Sequence, residues 1–417
     1  MEINMHREKK IIVYFANWNL KKKSAERAGE VAGIPWGKVD FINHAFWEVY
    51  PVGSNETTFD IKVAKKAART SFSIRSMKDD FDLGDMGTSA LDPSLPASHF
   101  GQYEILHKKY PDTVIMISIG GWARCGYFSE MAYTKEGRAS FIKACIDLMK
   151  KHDFIGGIDI DWEYPGCSTA GERLPDPSDP DMDQGCPIFG TPSEDSENFT
   201  LLLTEMREAF DKAFPDDRKY ITACCAAAVE SILQVQDWKN IAKHLDYLNV
   251  MTYDMAGVWS GKTGHHSPLS GAKSAVEYLN SLGLDSSMLN IGTPFYAMVF
   301  EAKEIVRDHM DDCECIPSRP TSEVFDSEIL NEFEKLALNN KDGWNLIYNE
   351  EAGGAALYND SPSSPYYKWF FSYENSKSLG AKIDYLNASS LAGIIVWEIS
   401  QDTVNFDRIR QMDEALK

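Results

Sequence analysis

The stretch FIGGIDIDWEYPG, residues 154 to 166, is the most strand-like run of the chain, and it carries Asp159, Asp161 and Glu163 at alternate positions. Successive side chains on a strand point to opposite faces, so these three acids share one face while Ile158, Ile160 and Trp162 share the other. One apolar and one acidic face suit a strand of a closed barrel. The apolar side packs on surrounding helices, and the acids point inward.

Working outward from this segment, eight short β-branched or apolar runs recur, most of them followed by a helical pattern. They are IIVYFA (11 to 16), FINHAF (41 to 46), TVIMISIGG (113 to 121), GGIDIDWE (156 to 163), YITACCAAA (220 to 228), DYLNVMTYD (246 to 254), LNIGTPF (289 to 295) and AGIIVWE (392 to 398). Eight βα units imply an α/β fold, a (β/α)8 TIM barrel. Residues 138 to 152, 197 to 210 and 274 to 283 repeat apolar positions at three and four and read as helices of its outer ring.

Two gaps exceed a bare βα unit. Residues 47 to 112 hold extra loops, and about ninety residues separate the seventh strand from the eighth. The second gap contains strand-like pieces such as WNLIYNEE and AALYND, so 298 to 388 reads as a small α+β insertion domain walling one side of the mouth. The catalytic barrel then comprises 10 to 297 and 389 to 417. A loop at 167 to 195, rich in Pro, Gly and Asp, follows the fourth strand, and long loops of this kind sit at a barrel's active face.

Composition narrows the function. The chain has 417 residues, 43% of them hydrophobic and 25% charged, and no apolar run nears the roughly 18 residues of a membrane span. A formal net charge of −21 disfavours any sequence-independent grip on nucleic acid or an anionic membrane. The N-terminal MEINMHREKK has neither the apolar stretch nor the cleavage site of a leader. Eight cysteines show no zinc spacing; Cys167 and Cys186 flank the long loop, a placement that would let them pair in an oxidising compartment.

Three carboxylates spaced about 6.6 Å apart along a barrel interior do not all ionise cheaply, so at least one proton is shared among them. Glu163 stands nearest the C-terminal rim, where barrel enzymes do their chemistry, and a carboxylic acid held protonated there is a general acid. Two other readings use the same oxygens: a solvated acidic strand end, or a divalent metal site, for which no histidine or further acid stands at short spacing.

GIDIDWE resembles the catalytic strand of the family 18 glycoside hydrolases, the chitinases, with signature D-G-x-D-x-D-x-E. SIGGW (118 to 122), NVMTYDMAGVWSGKTGHHSPL (249 to 269), IGTPFYA (291 to 297) and GIIVWEISQD (393 to 402) resemble that family's motifs on strands three, six, seven and eight. The resemblance implies hydrolysis of β-1,4-linked N-acetylglucosamine chains with retention and without an enzyme nucleophile, the substrate's own 2-acetamido oxygen attacking the anomeric carbon. Under it, Glu163 protonates the leaving oxygen and later activates water. Asp161 accepts from the acetamido N–H, Asp159 shares its proton with Asp161, and Tyr253 donates to the acetamido oxygen. Tyr14 and Ser118 steady Asp159, and Trp397 forms the floor under the sugar. No cofactor or metal is implied, a chitin or chito-oligosaccharide is the only partner, and the expected state is a monomer working outside the cell or on its surface.

Aromatic side chains are what a neutral pyranose needs, since its axial C–H faces stack on flat π-surfaces. Trp122, Trp259, Phe295 and Tyr296 follow strand ends and are expected to line the groove, with Phe46, Gly121 and Met251 completing it. Asp254 is expected to reach sugar hydroxyls or Glu163. Trp162 points away from the acids; Trp18, Trp36, Trp238, Trp344 and Trp369 read as structural, and His265 and His266 as plain loop residues. Two positions depart from the family. Gly156 stands where the signature begins with Asp, which removes a charge from the ladder and is expected to lower the acid limb of the pH profile. Ala297 and Met298 stand where the family often has Gly-Arg. Two neighbouring readings remain open, an endo-β-N-acetylglucosaminidase cutting the chitobiose core of N-glycans and a lectin-like relative that binds without cutting.

Overall fold

The computed structural model describes residues 7–18, 30–53, 68–167, 186–229, 236–317 and 325–416. Most of the Pro- and Asp-rich loop, 168–185, and part of the first long gap, 54–67, therefore lie outside the described residues. Eight parallel strands close on themselves: β1 (Lys10–Ala16), β2 (Phe41–Pro51), β4 (Val114–Gly120), β5 (Ile155–Asp161), β6 (Tyr220–Ala226), β7 (Tyr247–Met251), β8 (Leu289–Pro294) and β13 (Gly393–Trp397). Closure comes from β1 pairing with both β13 and β2. A short strand, β3 (Phe72–Ser76), runs antiparallel along the outer half of β2.

Strand alternation sorts the side chains as a barrel requires. Outward residues such as Ile117, Ile119, Ile158, Ile160, Ala223 and Cys225 join one core with the helices, represented by Phe141, Leu202 and Leu279. Inward residues Ile12, Tyr14, Phe41, Met116, Cys224, Met251 and Ile395 form a second, separate cluster. Two of the long outer helices are capped by side chains at their start. Thr134 accepts from Gly137 N at the head of Lys135–Lys151, and Thr191 and Glu194 form a capping box, with Pro192 at the first helical position, before Pro192–Ala213. The helix Leu269–Ser281 ends just before Gly283, whose φ of 89° reverses the chain.

Between β8 and β13 lies a four-stranded antiparallel sheet of β9 (Met298–Glu301), β10 (Trp344–Asn349), β11 (Gly354–Asn359) and β12 (Trp369–Tyr373), in the order β10-β11-β12-β9. One cluster on it joins Phe325, Leu330, Trp344, Leu357 and Phe371, where the helix Ser327–Leu338 covers the sheet; a second joins Phe300, Met310, Ala356 and Phe370. The insertion is shorter than 298 to 388. Helix Ser376–Ala388 buries Leu379, Ile383 and Leu386 in the barrel's outer core, so its apolar face, read in sequence as part of the insertion, belongs to the outer ring. All eight cysteines are free thiols. Cys186 is fully buried and accepts from the Trp162 indole N–H at 2.9 Å, so the pairing with Cys167 is not present.

Candidate active site

The acid ladder stands on β5 between β4 and β6, with Asp159 in register with Ser118 on one side and Thr222 on the other. Asp159 is completely buried, and five side chains from four other strands point at it. Tyr14 and Ser118 donate to Oδ2 at 3.0 and 2.8 Å, Asn249 donates to Oδ1 at 3.2 Å, Thr222 donates to Oδ1, and the Cys224 thiol stands 3.7 Å from Oδ2. Burial pushes the Asp159 carboxyl up from its ordinary range, while the hydrogen bonds of Thr222, Ser118 and Tyr14 hold it down. Asn249 is fixed in turn by Asn290, whose amide donates to its Oδ1 at 2.9 Å.

One turn of the pleat higher, Asp161 is buried, and its Oδ1 has no hydrogen-bond partner in the protein. Burial, then the charge of Glu163, then that of Asp159 push its carboxyl well above the usual carboxylate range. Glu163 caps the ladder at 8% exposure. Its backbone N–H donates to the Cys125 sulfur at 3.2 Å, and burial, then the Glu163 charge, raise the neighbouring Tyr164 phenol well above its ordinary range. Trp162 faces away and stacks on Phe128 in the outer core, with ring centroids 5.4 Å apart.

Above the acids the rings form a floor. Trp397 stacks on Phe46 with centroids 5.4 Å apart and planes 18° apart, and it leans on Tyr14 at 5.6 Å. Gly121, at φ 83°, leaves the space that Phe46 fills, since a Cβ there would stand 2.5 Å from its Cε2. Tyr253 is half-buried beside Met251, and its phenol is raised well above the ordinary range by burial, then by Cys224, Asp161 and Glu163. Further out, Tyr296 donates to Asp254 Oδ1 at 2.6 Å. Trp259 is 66% and Trp122 37% exposed, and the Trp122 ring lies edge-on to Tyr164 with centroids 6.4 Å apart.

With that arrangement in view, the family model described as "Glycosyl hydrolases family 18" matches residues 10–402. The chain belongs to family 18. Among curated relatives, Chitinase A1 of Niallia circulans is 27% identical over 94% of this chain and 56% of its own length. The Endochitinase of Manduca sexta is 24% identical over 94% of this chain and 64% of its own. This family 18 chain thus spans little more than half the length of the first curated relatives it matches. Among solved structures, the Ostrinia furnacalis Group IV chitinase in complex with allosamidin superposes with a TM-score of 0.76 at 22% identity, covering 98% of both chains, which shows a shared fold.

In this family 18 barrel, most residues singled out from sequence meet at one mouth: Tyr14, Phe46, Ser118, Gly121, Asp159, Asp161, Glu163, Met251, Tyr253 and Trp397. Phe295 does not. It is 2% exposed in the outer core with Leu289 and Ile291, whose parity on β8 it shares, so it packs on helices and not on a sugar. His266 is not a plain loop residue: it is fully buried, with Nδ1 3.3 Å from Asp254 and its ring edge-on to Tyr296. His265 is also buried, its Nε2 3.4 Å from Asp311 in the insertion. Trp18, read as structural, stacks on Phe46 with centroids 6.0 Å apart and leans on Trp397 at 6.2 Å, so it extends the aromatic floor. Thr222, Cys224 and Asn249 escaped the sequence reading, although their parity on β6 and β7 turns them inward.

Among the described residues, one group of side chains has the composition of a metal site, His44, Asp82 and His99, behind the wall of β2. Asp82 is saturated without an ion. His44 and His99 approach Oδ1 at 2.9 and 2.8 Å, while Trp47 and Asn17 donate to Oδ2 at 3.1 Å each and Ser76 adds a further donor. Against burial, His44 and His99 hold its carboxyl far below the usual range, the behaviour of a charged structural hub.

Proposed function

We propose that this chain is a chitinase, hydrolysing β-1,4-linked N-acetylglucosamine polymers or oligomers with retention and substrate assistance. The observation that carries the reading is the orphaned, buried Oδ1 of Asp161, one strand pair below Glu163 and beside the ring floor. A buried acceptor without a partner costs roughly 1–3 kcal/mol, and an amide N–H of an N-acetylated sugar relieves it. An unmodified hexose offers only a 2-hydroxyl there and has no acetamido oxygen to assist.

Glu163 gives its proton to the glycosidic oxygen as the C1–O bond breaks, while the substrate's acetamido oxygen closes on C1 to form an oxazolinium ion. Asp161 accepts from the acetamido N–H and offsets the developing positive charge, and the Tyr253 hydroxyl donates to the acetamido oxygen. Water then attacks C1 from the face the leaving group vacated and returns a proton to Glu163, which gives net retention. The floor of Trp397, Phe46 and Trp18 excludes water from the other side and receives the sugar's C–H face. An insoluble polymer as substrate places this work outside the cell or at its surface.

The test is incubation with chitotetraose and, separately, with an N-glycosylated protein, for the wild type and for Glu163→Gln. Cleavage of chitotetraose that drops about 10²–10⁴-fold in the variant is expected. Undiminished cleavage by Glu163→Gln refutes the assigned acid. Release of glycans with chitotetraose untouched moves the chain to the N-glycan group, and tight binding without cleavage moves it to the lectin-like one.

A further inference from the structure

Cys224 lies on the inner face of β6, 4% exposed, at the centre of the acid cluster. Its sulfur is 3.0 Å from the Tyr14 hydroxyl and 3.7 Å from Asp159 Oδ2. The neighbouring Cys225 shows the ordinary use of a buried thiol: it faces outward among apolar side chains of the outer core. Cys224 has the Tyr14 hydroxyl and the Asp159 carboxyl beside it instead.

The donor arithmetic gives this thiol a task. Tyr14 has one hydroxyl proton, and three groups stand within its reach: Asp159 Oδ2 at 3.0 Å, Cys224 Sγ at 3.0 Å, and the Asn249 amide, a donor at 3.3 Å. When Tyr14 donates to Asp159, its oxygen is free to accept from the thiol; when the thiol turns its single proton to a carboxylate, Tyr14 can donate to sulfur. Cys224 is therefore a second donor that Asp159 Oδ2 can draw on, directly or through the Tyr14 hydroxyl.

We propose that Cys224 is a positioning residue of Asp159, whose thiol, together with the Tyr14 hydroxyl, supplies a donor to the ionised carboxylate and so sets the pH at which the acid pair loses its proton. The proposal rests on the reading of Asp159 and Asp161 as the pair that serves Glu163. The titratable groups facing the thiol are Tyr14 from β1, Asp159, Asp161 and Glu163 from β5 and its end, and Tyr253 beyond β7, with Tyr164 beside Glu163. The tyrosines stay protonated through neutral pH, so the change seen by Cys224 comes from the carboxyls.

The experiment compares wild type, Cys224→Ala and Cys224→Ser in two readouts. The first is kcat and KM for chitotetraose against pH; the second is the ¹³C carboxyl titration of aspartate-labelled protein, which needs no turnover. Loss of a donor to an ionised pair moves its apparent pKa up, so Cys224→Ala is expected to raise the acid limb of kcat and the carboxyl titration by about half a pH unit or more, with KM unchanged. Cys224→Ser restores both. An unshifted titration in Cys224→Ala, or a serine variant that behaves like alanine, overturns the proposal. If the alanine variant does not fold, the pH-difference infrared spectrum of wild type replaces it: an S–H stretch that moves with the carboxyl titration supports the proposal, and one that does not overturns it. Failure of Glu163→Gln to lose activity would sink the catalytic reading, while the carboxyl titration would still report on Cys224.

Discussion

Gly292 lies flat against the ring of Tyr253: a Cβ at that position would stand 2.7 Å from Tyr253 Cε1, 2.8 Å from Cδ1 and 3.0 Å from Thr252 N. Tyr253 follows the end of β7, where no ladder bond holds it, so the bare backbone of β8 fixes its tilt. Gly292→Ala is expected to displace the phenol and lower kcat/KM about 10–100-fold, a misplacement effect on a positioned group. Overpacking adds about 1–3 kcal/mol of destabilisation, read as a lower Tm. A variant that loses stability but keeps wild-type kcat/KM would show that Tyr253 is not placed through this contact.

The saturation of Asp82 makes a prediction about metals. Its two oxygens already take His44, His99, Trp47, Asn17 and Ser76, so an ion would have to displace donors that the fold supplies. Exhaustive dialysis against EDTA is expected to leave both Tm and activity unchanged. Asp82→Asn, which removes the charge but keeps the shape, is expected to cost about 3 kcal/mol, because two buried histidines lose their anionic partner. A chelator-sensitive Tm that zinc restores would reverse the assignment.

Stability also carries a pH signature. Burial raises the Asp402 carboxyl to about 6 from 3.8, although the Ile409, Thr403 and Arg408 backbone N–H groups stabilise its charge. A carboxyl raised in the native state binds its proton more tightly there than in the unfolded chain. Its contribution is therefore fully present below about pH 4 and is lost as pH rises through 6, a swing of about 3 kcal/mol. Urea unfolding of wild type and Asp402→Asn at intervals from pH 4 to 7 reads it. The wild type is expected to lose stability relative to the variant across that window; parallel curves would refute the raised carboxyl.

What the sequence revealed follows the reach of strand parity. Asp159, Asp161 and Glu163 alternate with Ile158, Ile160 and Trp162, and the two sets fall on opposite sides of β5 as alternation requires. The same rule, applied to β8, sends Phe295 outward with Leu289 and Ile291, and applied to β6 it brings Thr222 and Cys224 to Asp159. Phe295, expected in the groove because it follows a strand end, still obeys the parity of β8, and Cys224 that of β6. Trp18 is a different case. It stands in the turn after β1, past the last residue for which alternation says anything, and only the packing of Phe46 and Trp397 places it. His266 belongs with it, since burial of a loop residue under an inserted sheet has no local pattern to read.

Gly156 tests how far the missing rung of the ladder matters. The β4–β5 register slips between Ile115 and Met116, opposite Gly156, and a Cβ there would stand 2.6 Å from Val114 Cγ1. Val114 packs on the inner cluster with Tyr220 and Tyr247, at the barrel end opposite Glu163. The site thus has no room for an aspartate as the side chains stand. Gly156→Asp alone is expected to lose about 1–3 kcal/mol by overpacking, and more if its carboxylate finds no donor. Val114→Ala removes the clashing methyl groups and is expected to recover most of the loss. In the double variant a carboxylate lies about three strand residues, near 10 Å, below Asp159, close enough through a dry interior to disfavour ionisation of the pair. The acid limb of kcat/KM is then expected to move up relative to Val114→Ala alone. An unmoved limb in a double variant with native Tm would mean that the first position of the signature shapes the barrel floor and has no part in the proton balance of the acids above it.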